Sequence, residues 1–156
     1  MRSRGQSVLY AVLLMPTLML IFALAIDMAA LQMEKLRLRY AVDLATVTAA
    51  TAVDAPSYSR TGRLELDPTA ASVTAREYLL RNLTGMPGVT APASIAAAAE
   101  ISVVNRTPAI DPYTRGRLDR PAVCARIKVP YRFMLLGWLG LNQVELSVAA
   151  DAEIRT

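Results

Sequence analysis

Histidine is absent from this 156-residue chain and cysteine occurs once, as Cys124. Without an imidazole there is no Ser-His-Asp or Cys-His relay and no histidine-based metal site. With one thiol there is no intrachain disulfide, thiolate zinc cluster or Cys-x-x-Cys redox pair. Aromatic residues make up 6% of the chain, too few for the stacking platforms that hold single-stranded nucleic acid. The net charge of +4 is spread as +2 over residues 1–26, −1 over 27–56 and +3 over 57–156, with no basic run that could grip phosphates. No pair of carboxylates has a spacing that argues for acid/base work over surface charge. The reading is therefore no catalytic, cofactor-binding or metal-ligating residues, no cofactor and no nucleic-acid partner. A hydrolase would need one acid whose mutation abolishes turnover.

What the chain does have is apolar content, 54% against the 45–50% usual for a soluble globule. Residues 5–26 form 22 consecutive positions without a charge. As a helix they span about 33 Å, enough for a hydrocarbon core of roughly 30 Å. Six Leu, two Ile, two Val and one Phe between positions 8 and 26 contribute on the order of −5 kcal/mol towards insertion. Arg2 and Arg4 precede the run and Asp27 follows it, so the positive-inside bias puts the N-terminus in the cytoplasm and the rest outside. The rival reading is a cleavable signal peptide, with Ala23-Leu24-Ala25 as its small-x-small site. The apolar run is longer than the 7–15 residues of an ordinary signal core, and helical patterning continues past that site.

Beyond Ile26, Leu31, Lys35 (through its stem), Leu38, Val42, Ala45 and Ala49 recur at three- and four-residue spacing, and no Gly or Pro intervenes before Pro56. The pattern predicts one helix over 7–53, about 70 Å long, with Pro16 as a kink site. Its apolar stripe must pack on the C-terminal domain or on neighbouring helices of a multimer. Residues 56–66 read as a loop. Asp67-Pro68-Thr69 starts a helix to about Leu83 that buries Ala71, Ala75, Tyr78, Leu79 and Leu83, ended by Gly85. Residues 95–104 are ambiguous, with strand favoured in the second half, and 107–121 read as a loop. Strict alternation over 123–133 and 144–154 predicts two strands of an antiparallel sheet covered on one face. Bases on one strand and acids on the other can pair across the exposed face, and Pro130 marks an edge or a bulge. The fold class is α+β: a long N-terminal transmembrane helix over 1–55, then a small exported domain over 56–156 with an antiparallel sheet and one packing helix.

The stretch Arg4-Gly5-Gln6, followed by an apolar run with Tyr10 and Pro16, resembles the start of TadE/TadG-like proteins of the Tad (Flp-type) pilus system. In that family a Gly precedes the apolar segment, a proline lies eleven residues beyond it and an aspartate closes it, as Gly5, Pro16 and Asp27 do here. An alanine-rich helix follows, matched by Leu38, Ala41, Asp43, Ala45, Ala49 and Ala50. The C-terminal hairpin, with Val129-Pro130-Tyr131-Arg132-Phe133, looks like the TadE-type ending. The resemblance implies a pilin-like fold and a minor pilin, pseudopilin or accessory inner-membrane protein of pilus assembly. It implies partners among pilin subunits and the assembly machinery, in a homo- or hetero-oligomer, and a prepilin peptidase acting at Gly5-Gln6. Tyr10, however, stands where pilins of this system carry a Glu that neutralises a neighbouring subunit's amine. TadG-like members often lack that acid too. The alternative class is a signal-anchored or secreted surface-binding domain unrelated to pili.

Several residues keep two readings. Asp27 is a helix-end charge at headgroup level or a partner for another subunit's base. Asp43 is a solvated or arginine-paired acid, or a subunit contact. Cys124 alternates onto the polar face of its strand as an inert small residue, or as a point of intermolecular disulfide or lipid attachment. The run 133–141, which includes Trp138, is too short to span a bilayer. It reads as a buried hairpin connection or as a patch that touches membrane or partner.

Overall fold

The computed structural model describes residues 3–154, the side chains of 3–9, 11 and 139 excepted. The chain divides into two compact units, one of Met1–Glu34 with Pro130–Val144, the other of Lys35–Val129 with Glu145–Thr156. Helix α1 (Ser3–Ala49) is unbroken through Pro16. Proline removes one backbone donor there, and the next residue, Thr17, donates its hydroxyl to the Leu13 carbonyl at 3.0 Å.

The helix stops at Ala49, short of the expected 53. The Thr51 amide and hydroxyl both donate to the Thr48 carbonyl, and the Ala52 amide donates to that of Ala49. These i to i−3 bonds tighten the last turn and release the chain, so that Val53 forms an isolated antiparallel bridge to Leu66. The expected loop over 56–66 instead contains helix α2 (Ala55–Thr61). Asp54 caps it, accepting from the Ser57 amide at 2.9 Å, and Gly62 ends it in the left-handed conformation at φ 68°. Helix α3 (Pro68–Leu83) begins as expected, with Asp67 accepting from the Thr69 and Ala70 amides at 2.8 and 3.1 Å. It buries Ala71, Ala75, Leu79 and Leu83 at four-residue spacing, while Tyr78 is half-buried. Helix α4 (Pro92–Ala98) takes the alanine run, and β1 (Glu100–Val104) takes the β-branched half of that stretch. Among the described residues three α-helices thus accompany α1 rather than one.

The sheet has strand order β1-β4-β5, with β4 (Ala122–Arg132) central and β5 (Gln143–Glu153) on its other side. β1 runs antiparallel to β4, Glu100 opposite Arg126 and Val104 opposite Ala122. Pro130 lies beyond the reach of β1, where β4 has no ladder partner on that side to lose. In the second unit Ala49, Ala50, Leu66, Ala71, Ala75, Val123, Ala152 and Ile154 form the core between helices and sheet. Alanine at five of these eight places lets helix backbones lie close to the strands. The 107–121 stretch is not a plain loop: β2 (Ala109–Ile110) and β3 (Arg117–Leu118) pair antiparallel within it. Leu118 packs with Ala122 and Cys124, and with the partly buried Val104 and Tyr113. The face of β4 that alternation assigns to solvent is therefore covered at its first half, and Cys124 is fully buried.

Candidate helix-packing and membrane-proximal site

From Val12 to Ile26 the large apolar side chains of α1 are exposed. Among the described residues, Val12–Ala49 is one helix long and apolar enough to cross a membrane. Tyr10 is 68% exposed, and Pro16 also faces outwards. Gly5 and Gln6 belong to the first turns of α1, and their side chains lie outside the described ones. At Asp27 this changes abruptly: its exposure is 0%.

The Asp27 carboxylate sits in a cradle of three consecutive backbone amides at the end of the β4–β5 hairpin. Oδ1 accepts from Met134 and Leu135, both at 3.2 Å, and Oδ2 accepts from Leu135 at 2.9 Å and Leu136 at 2.6 Å. The amides converge because Leu136–Leu139 winds into a 3₁₀ turn whose first N–H groups have no partner within the turn. Gly140 closes it at φ 86°, a conformation that costs a β-carbon dearly. A carboxylate in such a nest needs no counter-cation, because oriented N–H dipoles stabilise it. Tyr131 packs edge-to-face on Phe133 at 5.6 Å beside this site. Burial raises the Tyr131 phenol above its usual range, and the negative charges of Asp27 and Glu34 add to the effect.

The connection itself is not the buried segment that its apolar composition suggested. Leu136 is buried, but Met134, Leu135, Trp138 and Leu141 are exposed, Met134 and Trp138 by 77% and 73%. Of the two readings of 133–141, the exposed patch is the one that the fold adopts.

In the second unit, α1 has two apolar stripes. Leu38, Ala41, Val42, Ala45 and Ala49 are buried within the chain, and Asn82 donates to the Ala41 carbonyl at 3.3 Å. Leu36, Tyr40, Leu44 and Val47, at spacings of four, four and three, are exposed. The periodicity of the sequence pointed to the first stripe and missed the second, whose residues are interleaved with Arg37, Arg39 and Asp43. Asp43 is half-buried and lies 3.9 Å from Arg39 one turn away, an exposed i, i+4 pair.

A separate polar cluster lies beneath the β2–β3 loop. Burial would push the Asp111 carboxyl up, but donors from the Tyr113 amide, the Thr114 hydroxyl and the Thr114 amide outweigh it and hold the group below its ordinary value. Asp151, which the Thr114 hydroxyl also approaches at 3.3 Å, is raised by burial and by the Asp111 charge. The Cys124 thiol is pushed up to about 12 by burial and by Asp111. A neutral thiol at that depth is neither a nucleophile nor a ready partner for disulfide exchange. Across the sheet Lys128 and Glu145 pair at 3.8 Å, as the strand patterning suggested. Arg126 bonds Glu100 on β1 instead, with its guanidinium 5.0 Å above the Tyr113 ring. Among the described residues no group of His, Cys, Asp and Glu could hold a metal ion.

Residues 5–52 match the family model described as "Putative Flp pilus-assembly TadE/G-like". No curated protein and no solved structure matches the chain. The match begins at Gly5, contains Tyr10, Pro16, Asp27 and both stripes of α1, and ends just past the last turn of the helix. In its N-terminal third, which holds the membrane-length helix, the chain is thus similar to the TadE/G-like family described for Flp pilus assembly.

Proposed function

We propose that the protein is a minor pilin or pseudopilin of a Tad/Flp-type pilus and that it works by helix packing rather than by chemistry. The observation that carries this reading is the second, exposed stripe of α1. A helix that only anchors a folded domain needs an apolar membrane segment and one stripe facing that domain. Here Leu36, Tyr40, Leu44 and Val47 leave a further apolar row beyond the membrane segment. Spacings of three and four are those by which helices interlock along a common seam. In this proposal the helix rests in the inner membrane with its N-terminus cytoplasmic and the sheet-bearing portion outside, and the exposed row then packs on the helices of neighbouring subunits.

Cysteine placed at Leu36, Tyr40 or Leu44 tests the seam, since the native Cys124 is buried and gives no background. Oxidation in cells that assemble the pilus is expected to cross-link these positions to another subunit, while cysteine at the exposed Lys35, which lies well off the stripe around the helix, does not. Equal cross-linking at position 35 and on the stripe, or none anywhere, overturns the reading. N-terminal sequencing of the protein from cells addresses the maturation step. A start at Gln6 supports a processed prepilin, and an intact Met1 supports an unprocessed assembly protein. A start near Ile26 removes the membrane segment and with it the pilus role.

A further inference from the structure

We propose that the tip of the β4–β5 hairpin is a lipid-binding foot that lies on the outer leaflet beside α1. Its depth is set by the Asp27 cradle. The inference rests on α1 crossing the bilayer, and it adds a second point of contact that the family match, which ends at residue 52, does not include.

Three observations converge. The first is position. Asp27 is the first charge after the 22-residue uncharged run, so a membrane-spanning α1 places it where hydrocarbon gives way to headgroups. Three amides of the tip bond directly to that carboxylate, so the tip shares its depth. The second is composition. Residues 133–144 are twelve positions without a charge, between Arg132 and Glu145. They are too few to span a bilayer and too apolar to be left in water. Met134, Leu135, Trp138 and Leu141 are exposed in the same compact unit as the exposed membrane segment of α1. The patch thus continues the membrane-facing surface rather than forming an isolated apolar spot. The third is chemistry. Trp138 is the kind of side chain that settles at the bilayer interface, apolar in body with one N–H to keep wet. Exposed Arg132, at the base of the tip, suits a headgroup phosphate.

The Asp27 cradle makes such a location affordable. A carboxylate and three unpaired amides would each resist this depth, whereas bonded to one another they present the bilayer with no unsatisfied polar group.

Trp138 is the only tryptophan in the chain and therefore a clean reporter. The full-length protein is reconstituted into phosphatidylethanolamine/phosphatidylglycerol vesicles, and flotation with the vesicles reports separately whether α1 is inserted. The expected result is a blue-shifted Trp138 emission, largely lost with lipids brominated near the headgroup end of the acyl chain and little changed by aqueous iodide. In Asp27→Ala the vesicles still carry the protein, while quenching by bromolipid falls and quenching by iodide rises. Three outcomes overturn the foot while leaving the anchor intact: emission quenched by iodide in floating wild-type protein, emission shielded from both quenchers as a protein partner would shield it, or an Asp27→Ala variant with unchanged bromolipid quenching. Failure to float overturns the anchor as well as the foot.

Discussion

Asp27 shows how much one side chain can decide. Hydrogen bonds to a charged group contribute roughly 1.5–3 kcal/mol each, and their loss leaves the buried Leu136 amide and the part-buried Met134 and Leu135 amides without this acceptor. Asp27→Ala is therefore expected to cost about 3 kcal/mol in detergent-solubilised protein, read as a lower thermal midpoint and early proteolysis at 133–142. Asp27→Asn keeps one carbonyl acceptor and should fall between. From sequence, Asp27 was visible as a charge at the end of an apolar run. Its partners were not, because they are backbone amides 107 to 109 positions away and carry no side-chain signal. Cys124 makes a second prediction. Its thiol titrates near 9.0 when unfolded and about 12 when folded. Folding therefore favours the neutral form, and that contribution is complete below pH 9 and disappears as pH climbs towards 12. Stability measured by denaturant should decline over that alkaline window in the parent and less so in Cys124→Ala. Maleimide should label the thiol only after denaturation.

At the scale of elements, the helix caps and strand alternation were legible. Asp67 with Pro68 started α3 where such a pair should, and the period of two placed both long strands. What escaped notice depended on tertiary cover. Alternation put Cys124 outside because it says nothing of the β2–β3 pair folded over that face. Helix α2 hid in a seven-residue stretch too short to show a period, although Asp54 and Pro56 were its start signal. The two stripes of α1 illustrate the same limit, since the apolar residues of the outer row are separated by charged ones and read as surface. They also separate experimentally. Leu36→Glu or Tyr40→Glu should change the stability of the isolated protein by no more than about 0.5 kcal/mol yet abolish subunit cross-linking. Ala45→Glu, which places a charge in a fully packed site, should prevent folding altogether.

For the molecule as a whole, the absence of histidine and the isolation of the one thiol direct attention to surfaces. A single membrane-length helix should hold the protein in the membrane pellet after alkaline carbonate washing, with release only by detergent. Appearance of the intact chain in the carbonate supernatant would argue against a spanning helix. The spacing between Asp27 and its amides also bears on biogenesis. At typical elongation rates of about 5–20 residues per second, the carboxylate is made some 5–20 s before the groups that will receive it. Over that interval the acid is held by solvent alone, and any product truncated ahead of residue 134 never satisfies it. Closure of the cradle thus registers that translation has passed the β4–β5 hairpin, and until then the two ends of the contact stand without their native partners.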